Sequence, residues 1–180
     1  MRIIFDEILF YCFICYNYFM EKIELIKFVD DEKNYKLMHK WCSNDFVYEW
    51  FEQRLLSYDE IKNKYKNKLI SGEQDMYLMC YDSKPIGYVQ IYKNDDSYEY
   101  DLFIGEEDYL HRGIGSRVVK MINDLIYEKY KVDHIVLRPF KRNVGAVNCY
   151  KKNGFEIIDE YEDEDTLGNK EIYLLMINKK

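Results

Sequence analysis

The stretch "YLHRGIGSRVVKMI", residues 109–122, joins a glycine-rich turn to the beginning of an apolar helix pattern. Ile114, Val118 and Ile122 recur at every fourth residue, which is the spacing of side chains along one face of a helix. The stretch therefore predicts an amphipathic helix whose first turn contains the two glycines.

The turn itself, "HRGIGS" at residues 111–116, places successive backbone N–H groups at the N-terminus of this helix. Unpaired amides and the helix dipole favour an anion at such a position, so a pyrophosphate group would bind well there. Two glycines can also serve only to let a strand and a helix pack closely. The turn alone leaves both interpretations open, a phosphate site and a packing device.

The remaining chain alternates between strand and helix patterns around this turn. Strands are predicted over residues 22–28, in "MYLMCYD" and "PIGYVQIY" around a D-S-K-P turn, over 98–104 and 134–139, and in the closing hairpin "FEIIDEY" and "KEIYLLMI". Helices are predicted in "EKNYKLMHKWC" after Asp30 and Asp31, from the capping box at Ser57 and Glu60 to about Lys68, from the glycine turn, and in "NVGAVNCYKKNG" ending at Gly154. The order β-α-α-β-β-β-α-β-α-β-β indicates a mixed sheet with helices packed on it.

The composition limits the class of protein and of partner. With 180 residues, two prolines and no low-complexity segment, the chain is expected to form one domain with a sizeable core. Its net charge of -7 argues against a nucleic-acid partner, because phosphate backbones are bound by clustered Lys and Arg. A cationic partner fits the acidic balance better.

The first twenty residues, "MRIIFDEILFYCFICYNYFM", are apolar and aromatic from Leu9 to Met20. This run is shorter than the ~20 residues that span a bilayer and lacks a small-residue cleavage site, so neither a membrane anchor nor a secretory signal is favoured. We expect residues 1–20 to be an N-terminal extension, with an additional packed segment as the alternative. The folded domain is expected over residues 21–180.

The five cysteines are an odd number, which does not suggest a disulfide framework. Cys42, Cys80 and Cys149 are therefore expected to be reduced thiols in a cytoplasmic protein. Cys12 and Cys15 form a C-x-x-C pair, but the sequence offers no second pair and no nearby histidine to complete a zinc site. We expect no metal site.

A second motif, "NVGAVNCYKKNGF" at residues 143–155, reads N-x-x-A-x-x-x-Y-x-x-x-G-F. Together with R-G-x-G at a helix start one strand earlier, it resembles the GNAT superfamily, the acetyl-CoA-dependent N-acetyltransferases. The resemblance covers roughly residues 22–177. It implies an α/β (α+β) GNAT fold, with a mixed, mostly antiparallel central sheet of six to seven strands flanked by about four helices.

The resemblance implies acetyl-CoA as the co-substrate. Its pyrophosphate would lie on the amides of residues 111–116, and its pantetheine arm would run between the strands that end near Ile104 and Leu137, with a hydrogen bond from Asn143. The implied cofactor-binding residues are Leu102, Phe103, Ile104, His111, Arg112, Gly113, Ile114, Gly115, Ser116, Asn143 and Tyr150.

One departure from the superfamily pattern points to a branch. The usual Gln or Arg three residues before the first glycine is Leu110 here, and an apolar residue is common there in aminoglycoside 6'-N-acetyltransferases. "PIGYVQIY" (85–92) and "EWF" (49–51) are also similar to that branch. The implied activity is acetylation of the 6'-amine of polycationic aminoglycoside antibiotics, which confers resistance. Two alternatives stay open: a GNAT that acetylates a protein amine such as a ribosomal-protein N-terminus, and a non-catalytic acyl-CoA-sensing module.

The reaction requires a proton acceptor, because a sugar amine with a pKa of about 9 to 10 is an ammonium at neutral pH and only the free amine attacks a thioester. The resemblance makes Asp101 this general base, directly or through a water. A backbone N–H near Leu102 or Phe103 would stabilise the negative thioester oxygen. Tyr150 holds the superfamily's tyrosine position and would protonate the departing thiolate, although packing alone also explains a tyrosine there.

A polyamine sugar gains from several carboxylates, so an acidic pocket with flat aromatic walls is expected. The candidate substrate-binding residues are Asp45, Glu49, Trp50, Phe51, Tyr92 and Asp101. The simpler interpretations are core packing for the tryptophans and solvated surface positions for the carboxylates.

Arg138 stands where related aminoglycoside enzymes tend to carry Asp before a proline. This cation puts one substrate contact in doubt, and we consider that it faces the phosphates of coenzyme A together with Arg112, Lys141 and Arg142. The expected assembly is a monomer or a homodimer.

Overall fold

A computed structural model of the protein describes residues 22–94 and 97–180. The predicted N-terminal extension over residues 1–20, with its C-x-x-C pair, lies outside these residues.

The elements follow the predicted order closely. The strands are β1 Ile23–Lys27, β2 Gln74–Tyr81, β3 Lys84–Asn94, β4 Ser97–Ile104, β5 His134–Leu137, β6 Glu156–Glu164 and β7 Lys170–Lys179. The α-helices are α1 Glu32–Cys42, α2 Asp45–Tyr48, α3 Tyr58–Ser71, α4 Ile114–Tyr130 and α5 Val144–Lys152, with a short 3-10 helix at Glu107–Tyr109. The one-turn helix α2 was not predicted, because four residues are too few to show a helical period.

The sheet has the strand order β1-β2-β3-β4-β5-β7-β6. Every neighbouring pair is antiparallel except β4 and β5, which run parallel and are connected through α4. The predicted mixed, mostly antiparallel central sheet of six to seven strands is therefore confirmed.

Local capping signals in the sequence locate the ends of the helices well. The Asp31 side chain accepts a hydrogen bond from the Lys33 N–H at 2.8 Å, and Ser57 and Glu60 form the predicted capping box at the start of α3. Helix α3 continues three residues beyond the predicted end at Lys68. It ends at Gly72, whose left-handed φ of 66° terminates the helix without steric cost.

The helices cover both faces of the sheet and form two hydrophobic cores. Ile114, Val118 and Ile122 of α4 are buried in the first core, as the period of four predicts. The second core lies under α1 and α3 and is rich in aromatic residues, among them Trp41, Tyr65 and Tyr88. The sheet is thus a middle layer between two groups of helices.

The sheet splits between strands β4 and β5. Strand β4 remains paired with β3 as far as Gly87 and Ile104, whereas its parallel register with β5 consists of the pair Tyr98 and Ile135. Beyond Leu137 the chain stays with β7, because the Pro139 carbonyl oxygen accepts a hydrogen bond from the Leu174 N–H at 3.0 Å. Proline cannot donate to a ladder, which also prevents β5 from continuing beside β4.

The glycine that follows β4 allows a tryptophan to pack against the strand end. A Cβ atom on Gly105 would lie 2.2 Å from Cγ of Trp41, a side chain that is 0% exposed. The Trp41 indole N–H donates to Glu106 at 2.9 Å, so the ring has little freedom to move away. Only glycine fits between this ring and the end of β4.

We expect Gly105→Ala to lower the free energy of unfolding by about 1–3 kcal/mol, because the new methyl group overpacks the core. Gly145→Ala is the matched control, since the nearest atom to its added Cβ lies 3.8 Å away and the residue is in α5. This control should be neutral or stabilising by up to about 1 kcal/mol. Urea denaturation of the three proteins measures both effects, and equal stability of Gly105→Ala and wild type would contradict the packing argument.

Candidate active site

A cavity of about 840 Å³ opens where β4 and β5 separate. Its walls come from the end of β4, the first turn of α4, helix α5 and the segment between α2 and α3. It is therefore bounded by both motifs that the sequence singled out.

The first turn of α4 presents its backbone to this cavity. His111 and Gly113 have left-handed φ values of 58° and 74°, which turn the chain sharply into the helix, and no side chain among the described residues caps its N-terminus. A Cβ on Gly115 would meet no atom closer than the Cys149 sulfur at 3.9 Å, so the space beside this residue is open. The helix start offers uncapped N–H groups and a positive dipole end to an anion.

Most of the predicted cofactor-binding residues line the cavity. These are Leu102, Phe103, Ile104, His111, Gly113, Gly115, Ser116, Asn143 and Tyr150. The two others lie outside its lining: the Ile114 side chain is buried in the core, and the Arg112 guanidinium lies over the rings of Tyr81 and Tyr109, 5.2 and 5.3 Å from their centroids. The Ile114 side chain is therefore not available to a ligand in the cavity.

The strand register distinguishes between the two candidate oxyanion donors. The Gly105 N–H donates to the Ile86 carbonyl oxygen on β3 at 2.7 Å. Because successive residues of a strand direct their N–H groups to opposite sides, Phe103 directs its N–H toward β3, while Leu102 directs its own into the gap toward β5. Leu102 is thus the residue whose backbone donor faces the cavity.

Asp101 lies on β4 at the wall of the cavity and accepts a hydrogen bond from Gln90 Nε2 at 2.7 Å. Burial raises the pKa of the Asp101 carboxyl above its ordinary value, and the hydrogen bond from Gln90 and the charge of Lys68 oppose part of this rise. A carboxylate with a raised pKa holds a proton more strongly than a solvated aspartate does. The cavity wall therefore carries a carboxylate with a higher proton affinity than that of a solvated aspartate.

Tyr150 projects from α5 toward the same cavity. Its ring packs against Phe155 and Tyr100, with centroid distances of 5.8 and 6.4 Å. Burial and the nearby charge of Asp101 raise the pKa of Tyr150, so its hydroxyl stays protonated at neutral pH. The Tyr150 hydroxyl is thus a potential proton donor, while its ring packs against neighbouring aromatic side chains.

The predicted acceptor residues divide into two groups. Trp50, Phe51, Tyr92 and Asp101 line the cavity. The structure does not bring Asp45 and Glu49 to it: Asp45 is exposed at the start of α2, and the Glu49 carboxylate is paired with Arg142 at 2.9 Å. Asp45 begins the short helix α2 and Glu49 is its C-terminal cap, and the sequence did not reveal this helix.

Glu99 is a cavity residue that sequence reasoning missed. It is 4% exposed, lines the cavity, and forms an ion pair with Arg138. In the sequence it stood among many neighbouring carboxylates and looked solvated. The available signal was its spacing of two from Asp101, since alternate residues of a strand share a face.

The basic residues near the strand end do not gather around a phosphate. Arg138 pairs with Glu99, Lys141 lies 2.8 Å from Glu160, and Arg142 pairs with Glu171 at 2.8 Å in addition to its bond with Glu49. Local carboxylates thus neutralise these cations, and the idea that they face the coenzyme's phosphates as a group is not supported.

Two further classes of feature are absent from residues 22–94 and 97–180. No three or more His, Cys, Asp or Glu side chains there are grouped so that they could hold a metal ion. None of the helices in that part of the chain is long and apolar enough to cross a membrane.

The family model described as "Acetyltransferase (GNAT) domain" matches residues 30–162. The chain belongs to the GNAT acetyltransferase family. The predicted N-acetyltransferase activity and GNAT fold are thereby confirmed. The glycine turn of α4 and the block from Asn143 to Phe155 both lie within the matched residues, and both contribute to the lining of the cavity.

Relatives and solved structures of similar fold include two kinds of acetyltransferase. Aminoglycoside N(6')-acetyltransferase type 1 of Klebsiella pneumoniae is 23% identical over 141 residues, covering 69% of this chain and 70% of the relative. The structure of aminoglycoside acetyltransferase AAC(6')-Ib in complex with coenzyme A and kanamycin has a TM-score of 0.75 at 19% identity, covering 88% of this chain and 95% of that one. Spermidine N-acetyltransferase from Vibrio cholerae, in complex with CoA and spermine, has a TM-score of 0.76 at 17% identity over 87% and 95% of the two chains.

We expect Gly115→Asp to weaken acetyl-CoA binding at least tenfold while the protein stays folded, because the position has room for a side chain. Two like charges about 5 Å apart repel by about 3 kcal/mol at an effective dielectric constant of about 20. Gly115→Asn is the matched control, since it has the same size without the charge. Titration calorimetry gives Kd for the three proteins, and unchanged affinity of Gly115→Asp would mean that the turn is structural only.

Proposed function

We propose that this protein is an acetyl-CoA-dependent aminoglycoside 6'-N-acetyltransferase that confers resistance to these antibiotics. The observation that carries the proposal is the half-buried carboxylate of Asp101 at the wall of a cavity that also contains the uncapped start of α4. The relation to aminoglycoside N(6')-acetyltransferase type 1, which extends over 69% of this chain, supports the choice of acceptor.

The described residues fit acetyl-CoA along the length of the cavity. The N–H groups of Gly113, Gly115 and Ser116 would hold its pyrophosphate, because they lie at the positive end of α4 and line the cavity. The Asn143 Oδ1 atom already caps α5 by accepting a hydrogen bond from the Ala146 N–H at 3.1 Å. Its amide NH₂ group is therefore the part of Asn143 that would bind the pantetheine arm.

The bound co-substrate supplies an acetyl group as a thioester, and the protein must supply a base for the acceptor ammonium. Asp101 is placed for this role because its carboxylate lies at the cavity wall and its pKa is raised by burial. The charge on the carboxylate also attracts the cationic acceptor before it removes the proton. Asp101 therefore acts both in binding and in proton transfer.

Two further groups complete the arrangement. The Leu102 N–H faces the gap between β4 and β5 and would donate to the thioester oxygen as that oxygen becomes negative. Tyr150 keeps its proton at neutral pH and would deliver it to the departing thiolate of coenzyme A.

The acceptor half of the cavity combines aromatic walls with little free negative charge. Trp50, Phe51 and Tyr92 supply flat surfaces on which a sugar ring can lie. Since Glu99 is already paired with Arg138, Asp101 is the carboxylate of this half on which the reacting amine depends most. This arrangement favours one orientation of an acceptor that presents a single amine to Asp101.

The test is an acetylation assay with kanamycin and tobramycin, using acetyl-CoA as donor, with mapping of the modified amine. We expect turnover and a single product acetylated at the 6'-amine. Spermidine and a peptide with a free N-terminus are the comparison acceptors. Turnover of either of these without turnover of the aminoglycosides would overturn the proposed acceptor, and a product other than the 6'-amide would correct the regiochemistry.

Asp101→Asn should lower kcat by ~100-fold or more, since the amide cannot accept a proton and general-base contributions have this size. Asp124→Asn is the control variant, because Asp124 is an exposed residue of α4 that pairs with Lys120 at 2.9 Å, far along the helix from the glycine turn. Steady-state kinetics at saturating acetyl-CoA measures both variants. An unchanged kcat for Asp101→Asn would remove Asp101 from the mechanism.

A further inference from the structure

A chain of hydrogen bonds connects helix α3 to Asp101 behind the wall of the cavity. Lys68 Nζ donates to Gln90 Oε1 at 2.7 Å, and Gln90 Nε2 donates to Asp101 Oδ2 at 2.7 Å. The Tyr88 hydroxyl lies 3.4 Å from the same Gln90 oxygen, and Gln90 is 7% exposed. The amide of Gln90 is thus held between one cation and one carboxylate.

The direction of this chain follows from the chemistry of its ends. A charged lysine has three donors and no acceptor, so only the carbonyl oxygen of Gln90 can face Lys68. The NH₂ group must then face Asp101, where it can donate to the carboxylate. A Gln90 without this cation would be free to turn its oxygen toward Asp101, which would repel the carboxylate.

The environment of Lys68 is unusual for a cation that is merely packed. Among the described residues it forms no ion pair with a carboxylate, and its ammonium bonds instead to the neutral Gln90 amide. Its neighbour Lys64 has a partner of its own, the Glu52 carboxylate at 2.5 Å, which also accepts a bond from the Tyr65 hydroxyl at 2.9 Å. The Lys68 ammonium also lies 5.3 Å from the centroid of the Tyr65 ring. Lys68 is thus held by neutral groups, and the nearest end of its hydrogen-bond chain that carries a negative charge is Asp101.

We propose that Lys68 is a positioning residue for the acetyl transfer: through Gln90 it orients the Asp101 carboxylate and favours its ionised form. The inference rests on the proposed role of Asp101 as general base. Helix α3 contributes no cavity-lining side chain among the described residues. The inference gives this helix an indirect part in the chemistry.

The groups around Asp101 determine whether its pKa lies above or below the ordinary value. Burial is the main influence and raises its pKa, while Gln90, Lys68, Tyr92 and Lys64 all oppose that rise. The charge of Asp101 is in turn felt by the buried hydroxyls of Tyr88 and Tyr150, which keep their protons. Loss of the Lys68 charge therefore raises the pKa of Asp101 further.

The groups around Lys68 decide whether it is charged. Burial and the nearby Lys64 lower its pKa to about 8, and the charges of Glu52 and Asp101 and the Cys42 thiol oppose the decrease. Lys68 is thus still mainly protonated at neutral pH and loses its proton on the alkaline side. The orienting charge is present over the range in which Asp101 must ionise.

The experiment compares pH profiles of kcat/KM for wild type, Lys68→Met and Lys68→Arg, with the amine that the acetylation assay identifies as acceptor. The acid limb of Lys68→Met should move upward by about one pH unit, because a nearby charge shifts a carboxyl pKa by about that amount or more. The rate on that limb should fall about tenfold. Lys68→Arg keeps the charge and should keep the wild-type limb.

Two controls and one substitute variant make the result specific. Lys66→Met removes an exposed cation of the same helix, one that lies 3.5 Å from Asp30, and should leave the profile unchanged. The Kd for acetyl-CoA should be the same in all variants, because Lys68 is not a cavity residue. Lys68→Gln replaces Lys68→Met if the latter does not fold, as judged by thermal melting.

A double variant tests the route through Gln90. In a Gln90→Met background, replacing Lys68 by Met should cause a smaller further shift than in the wild type, because the contact through Gln90 is already lost and only the through-space effect of the Lys68 charge remains. An unmoved acid limb in folded Lys68→Met, or full additivity of the two substitutions, would overturn this inference alone. An Asp101→Asn enzyme with the wild-type rate and acid limb would overturn the proposed base and this inference together.

Discussion

The parting of β4 from β5 is the constraint on which the rest of the structure depends. The pair Tyr98 and Ile135 joins the two halves of the sheet, and beyond it β4 follows β3 while the chain after β5 follows β7. Pro139 reinforces the separation, because it has no N–H to offer β4. The gap leaves the Leu102 N–H facing a cavity rather than a neighbouring strand, and an interior space becomes available for a ligand.

The two ends of this cavity offer a ligand groups of opposite polarity. At the start of α4, glycines leave backbone donors open, so an anion gains hydrogen bonds without a positively charged side chain. At Asp101, burial raises the pKa of a carboxylate that the proposed mechanism needs in ionised form, and neighbouring donors and cations limit the rise. The hydrogen bond from Gln90 and the charge of Lys68 thus offset part of the increase in the pKa of Asp101 that burial causes.

Internal ion pairs occupy two of the carboxylates that would otherwise be available to a cationic acceptor. Glu49 is paired with Arg142, and Glu99, which does line the cavity, is paired with Arg138. The negative charge of the chain is therefore a poor guide to the charge of its cavity. In the proposed function, recognition of the acceptor depends on Asp101 and on the aromatic walls, and this distinguishes the site from a simple acidic pocket.

Local chemistry determined what the sequence could predict by itself. The face of α4, the capping box of α3 and the glycine turn depend on residues a few positions apart, so their spacing was sufficient, and the two family motifs then indicated the GNAT fold. The partners of Asp101 depended on tertiary structure: Lys68, Gln90 and Asp101 lie on three elements whose contact follows from strand register and helix packing. The same holds for the charges of the acceptor half, because contacts between residues far apart in the chain arise only after the sheet has assembled.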